Sequence, residues 1–189
     1  MNASHYRPDG MCRFITLIAP SGDQSALSAV MARHGREARP VANRSIAKAL
    51  LANENQYLTT RNHCDCGTVL AQGAGPDIEA ELAKETTRLA SKGWSKAKIE
   101  RAIADQRKAM SKQDDGRHID SIPMWADVLR DVSTSLKFQH AGLLVHEYSG
   151  DVADEVFDVA RRDAAAQLSE GLASMRQDEV LIFSRDRAL

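Results

Sequence analysis

The sequence predicts one α/β or α+β domain: a mixed or antiparallel sheet of about five strands covered by helices, with a protruding helical hairpin. Three observations predict it. Short apolar runs such as "RFITLIAP" and "EVLIFSR" have the length and β-branched content of buried strands. They alternate with stretches whose apolar residues recur at helical spacing. Between Pro76 and Asp114 the composition shifts to Ala, Glu, Lys and Arg, which gives helices with thin apolar stripes. At 189 residues, 43% hydrophobic and 27% charged, the chain can bury one good core or at most two small ones. Residues 1–189 therefore read as a single domain, with 77–113 as an arm within it and 1–10 as a flexible N-terminal segment.

"RFITLIAP" (Arg13 to Pro20), closed by Pro20 and Gly22, fits a central strand buried on both faces. "SGDQSALSAVMARHG" follows with Ser21 or Asp23 as cap, apolar Leu27, Val30 and Met31, and Gly35 as stop, a helix of about three turns. A second helix is predicted through "NRSIAKALLANE", and "QYLTT" reads as the next strand. Two helices running out and back allow that strand to return antiparallel to the first. Cys12, where the first strand begins, then lies near Cys64 and Cys66, just past the end of the second.

In the Ala/Glu/Lys/Arg segment, Gly93 ends one helix and Ser95 caps another. The stripes are Ile78, Leu82 and Leu89 on the first and Ile99, Ile103 and Met110 on the second. A stronger helix starts at Pro123, with Ile122, Trp125, Val128, Leu129, Val132 and Leu136 forming a broad face toward the sheet. "AGLLVHEY" reads as a strand, Gly150 and Asp151 as a turn, and Glu155 to Ala160 as a further strand or a helix. "AAAQLSEGLASM" and "EVLIFSR" close the chain as a short helix and a last strand.

A formal net charge of -1 argues against a dedicated nucleic-acid binder. No apolar run approaches a membrane span, and the start lacks the pattern of a signal peptide, so a cytoplasmic location is expected. Three cysteines, an odd number, do not form a disulfide framework.

The loop "RNHCDCG", Arg61 to Gly67, concentrates the chemistry. Cys64 and Cys66 can both give thiolates to one zinc ion if the chain turns between them, which Asp65 and Gly67 favour. Cys12 and a histidine, with His63, His34 or His5 as candidates, complete a site of three thiolates and one imidazole. Alternatively, Cys64 or Cys66 is the nucleophile of a hydrolase or transferase, activated by Arg61 or by a histidine such as His146 or His140 brought across by the fold. A Cys64–Cys66 disulfide would close a short, strained ring. Small buried cysteines without chemistry are the plain alternative.

The stretch "MCRF", Met11 to Phe14, resembles the start of class II glutamine amidotransferases, in which methionine removal exposes an N-terminal cysteine nucleophile at the head of a first strand. The resemblance covers about four residues, has no counterpart of the family's downstream substrate-binding motifs, and implies that role for Cys12 if the chain starts at Met11.

No phosphate-binding motif is present, since "GAGP" fits neither GxGxxG nor a Walker loop. Arg88, Lys92, Lys96, Lys98 and Arg101 gather near the predicted hairpin tip, where they would meet an acidic partner or form a solvated face. No complete catalytic constellation can be assembled from sequence. The leading expectation is a cytoplasmic protein-interaction module, binding, regulatory or toxin-neutralising, that meets another protein or a second copy of itself and needs no cofactor. The cysteine-dependent enzyme and the small zinc protein are the alternatives.

Overall fold

"RFITLIAP" sits at the centre of the molecule. The computed structural model describes residues 11–60, 64–70, 78–114, 120–164 and 167–185, and in it strand β1 spans Cys12–Pro20. The remaining strands are β2 (Arg39–Val41), β3 (Glu54–Leu58), β4 (His140–Tyr148), β5 (Ala160–Asp163) and β6 (Glu179–Ser184). They form a mixed sheet in the order β2-β3-β1-β4-β6-β5, antiparallel except for β5 beside β6. β1 lies between β3 and β4, and β3 returns antiparallel to it, with Thr16 opposite Leu58 and Pro20 opposite Glu54. The expected relation between the first two long strands is thus met.

The period of two in β1 divides its side chains between two apolar layers. Ile15, Leu17 and Ala19 join the larger core with Leu143, Val145, Leu181 and Phe183. Helices α1 (Gln24–Arg33), α5 (Ile122–Leu136) and α6 (Leu168–Ala173) supply the rest of that layer. Asp23 caps α1 by accepting from the Ser25 and Ala26 N–H groups, and Gly35 leaves it at φ 67°, a left-handed turn that favours glycine. Pro123 stands in the first turn of α5, as the sequence pattern predicts, and Ser121, which that reading omits, caps it. Trp125, Val128, Leu129 and Val132 are fully buried, each contributing up to about 1.5–3 kcal/mol from apolar surface removed from water. The opposite face is thinner: Ile18, Leu144, Val180 and Ile182 pack with Ile46, Leu50, Phe157 and Val159.

Two predicted elements differ from the structure, and one strand is added to them. The helix expected through "NRSIAKALLANE" is one turn, α2 (Arg44–Ala47), capped by the Asn43 side chain, and β2, which the sequence reading omits, precedes it. The strand placed at Glu155 to Ala160 lies later, at β5, and pairs with β6 rather than folding back on β4. Asn43 explains the shift, because its amide donates to the Val152 and Glu155 carbonyls and ties that segment over α2 instead. Phe157 and Val159 cover the second apolar layer from this tie.

Helices α3 (Ile78–Ser91) and α4 (Lys96–Asp114) pack on each other around a turn in which Gly93 has φ 75°. Leu82, Leu89 and Ile99 are buried. Among the described residues no helix is long and apolar enough to cross a membrane. Segment 1–10, and with it His5, lies outside the described residues, as do Arg61 and His63.

Candidate metal centre

β3 is shorter than the flank of β1 it borders, and this shortfall builds the site. The last regular contact is the Thr59 N–H to the Ile15 carbonyl, 3.0 Å. Beyond it, the Ile15 N–H and both backbone groups of Arg13 still need partners, since buried backbone polar groups are costly to leave unpaired. The loop after β3 comes back and supplies them. The Asp65 N–H donates to the Arg13 carbonyl at 2.7 Å, and the Ile15 N–H donates to Asp65 Oδ2 at 3.0 Å. The Arg13 N–H donates to Cys66 Sγ at 3.3 Å. Docked in this way, the loop sets Cys64 and Cys66 beside Cys12.

The three sulfurs lie within 4.8 Å of one another, and each cysteine is half-buried and unbridged. A zinc ion with thiolates at about 2.3 Å in tetrahedral array separates its sulfurs by about 3.8 Å, so the cluster needs only a small contraction to hold one. Burial, with the neighbouring Cys66 and Cys12 sulfurs adding to it, pushes the Cys64 thiol up to about 12. Three thiolates this close repel one another, and a bound cation would reverse that penalty.

A buried charged network fixes the loop from behind. Asp65, 1% exposed, receives the Arg36 guanidinium at 2.6 Å and the Thr60 hydroxyl. Burial pushes the Asp65 carboxyl up, against the lowering effects of Thr60, the Ile15 N–H and Arg36. Arg36 also donates to Asp120 at 2.7 Å and lies 4.5 Å over the Trp125 ring. Asp120 in turn accepts from the Thr68 hydroxyl, the Val69 N–H and the Trp125 indole N–H. The cysteine loop is thereby tied to Arg36 in the turn after α1 and to the start of α5. Sequence reasoning names Asp65 only as a turn former and omits Arg36 and Asp120. Nothing local separates these two from surface charges.

The expected histidines fare differently. His34 hydrogen-bonds to Asp131 at 2.9 Å, between α1 and α5, and His140 to Glu54 at 2.7 Å. His146 has Nδ1 at 2.5 Å from Asp178 and Nε2 at 3.4 Å from Glu155, with its ring stacked on Phe157. It stands opposite Phe14 in the register, while Cys12 stands opposite Tyr148. The Tyr148 ring meets the edges of Phe14 and His146, and burial holds its phenol well above the usual range. His63, the fourth ligand expected from sequence, lies outside the described residues.

At the hairpin turn Lys92, Lys96, Lys98 and Arg101 are exposed. Lys98 lies 3.9 Å over the Trp94 ring, and Arg88 is paired with Glu85 three residues before it.

Comparison with models of protein families, with curated proteins and with solved structures finds no match to this chain.

Proposed function

We propose that the chain is a small metal-binding protein in which a thiophilic divalent ion, zinc first among them, joins Cys12 on β1 to Cys64 and Cys66. The observation that supports this reading is the convergence of three sulfurs from two distant parts of the chain. Thiolate ligands select zinc-like ions over magnesium or calcium. The ion's work here is structural: it ties the loop after β3 to the first residue of β1, as a closed zinc site does. For a fourth ligand the sequence offers His63, next to Cys64 in the chain.

Metal analysis of the native protein is expected to give about one equivalent of zinc, and Cys12→Ser, Cys64→Ser and Cys66→Ser each to release it. Cobalt or cadmium should report the thiolates by charge-transfer absorption. Zinc at a thousandfold its Kd is expected to stabilise the fold by about 4 kcal/mol. His63→Ala should weaken binding while keeping the thiolate bands. Absence of both bound metal and thiolate bands would remove the reading.

A second reading rests on the exposed lysines of the α3–α4 turn: this tip docks an acidic surface of another protein. A cationic, solvated helix turn suits salt-sensitive association.

A further inference from the structure

We propose that Cys12 and Cys66 form a reversible disulfide when the protein meets a hydroperoxide. The geometry favours this pair over the other two. Cys66 Sγ is already docked on β1, where it accepts the N–H of Arg13, the residue that follows Cys12. The three sulfurs lie within 4.8 Å of one another, which leaves the Cys12 and Cys66 side chains a short approach to the bond length of about 2.05 Å. The backbone N–H of Asp65 is held by the Arg13 carbonyl, and its carboxylate by the Ile15 N–H, Arg36 and Thr60. With Asp65 clamped on both sides, the chain between Cys64 and Cys66 cannot pucker into the tight ring that their own disulfide needs.

The chemistry balances with the hydroperoxide as oxidant. The Cys66 sulfur attacks the terminal peroxide oxygen, the O–O bond breaks, and a sulfenic acid forms as the alcohol, or water, departs with a proton. The Cys12 sulfur then attacks the Cys66 sulfur, the S–O bond breaks, and hydroxide leaves as water with a second proton. Each sulfur gives up one electron and each peroxide oxygen gains one. If the three cysteines hold zinc, a consequence that rests on the function proposed above, the ion loses two of its thiolates and leaves unreduced. The same cluster then holds either an ion or a covalent bond between loop and strand, and a thiol reductant returns it to the first state.

Zinc-loaded and metal-free full-length protein are each treated with stoichiometric hydrogen peroxide, digested without reduction and mapped by mass spectrometry, while a chromogenic chelator follows released zinc. The expected product links Cys12 to Cys66, with about one zinc released per link. Cys64→Ser should retain the link, and Cys66→Ser should form any cross-link to Cys12 roughly tenfold more slowly. A dominant Cys64–Cys66 or Cys12–Cys64 link, or oxidation to sulfinic acids without any link, would overturn the inference. The Cys12–Cys66 link in a chain that binds no zinc supports the disulfide and counts against the metal centre alone.

Discussion

Replacing Arg36 with methionine removes a cation that Asp65 and Asp120 share. The two carboxylate side chains are 1% and 0% exposed, and Arg36 holds them at 2.6 and 2.7 Å. Breaking a buried pair by deleting one partner costs about 3–5 kcal/mol, because the other charge is left in a poor solvent. The cation over Trp125 adds on the order of 1 kcal/mol, and methionine regains part of the lost packing. These contributions share atoms and do not simply sum, so the expected loss near neutral pH is about 4 kcal/mol. The pH dependence separates this cause from a cavity. Burial already pushes Asp65 up in the native chain, and loss of Arg36 raises it further. A carboxyl whose folded pKa exceeds its unfolded value of about 3.9 stabilises the fold below that value and loses that contribution as pH rises. The deficit of Arg36→Met should therefore be smallest near pH about 4 and grow toward neutrality, by up to about 1.4 kcal/mol per pH unit while Asp65 stays protonated. Urea titrations followed by tryptophan fluorescence, with chelator present, measure it. A loss below about 1 kcal/mol, or one constant across this range, would refute the claim that Arg36 neutralises the loop.

Glu54 carries the opposite sign. Burial alone would raise it, but Arg161, the Leu51 N–H and His140 outweigh burial and hold its carboxyl below the usual range. Its contribution is present above the unfolded value of about 4.3 and lost as pH falls through the lower folded one, so Glu54→Gln should flatten the acid limb of the stability curve and cost about 2 kcal/mol near neutral pH. An unchanged acid limb would mean that Glu54 does not carry it. At the hairpin tip, joint replacement of Lys92, Lys96 and Lys98 by glutamate should leave the unfolding temperature nearly unchanged and abolish salt-sensitive capture of acidic proteins. Equal capture by both chains would take the tip out of any interface.

How far these features can be read from the sequence depends on the range of the interactions that make them. The cap of α1 at Asp23 and the start of α5 at Pro123 are local and are readable as patterns. The nearness of Cys12 to Cys64 and Cys66 follows from the antiparallel direction of β3, although the connection runs through β2 and a one-turn helix. β5 lies later than the strand that the sequence places at Glu155 to Ala160, since a single amide, Asn43, holds that segment over α2 from 109 positions away. Arg36 and Asp120 stand 84 positions apart, and charged residues so placed look like ordinary surface until the fold buries them together. The sequence offers His146 as a base only if the fold brings it across, and in the structure Asp178 and Glu155 already flank it.

The docking of the cysteine loop on β1 has a colloidal consequence. Where β3 stops, the first residues of β1 present a row of backbone donors and acceptors that any extended chain could match. Asp65 and Cys66 fill those positions with one N–H, one carboxylate and one sulfur, and none of the three offers a further edge on which a neighbour could build. Should the loop lift away, the uncovered flank would act as a template for intermolecular strand addition, so the residues that gather the thiols also guard the sheet against aggregation.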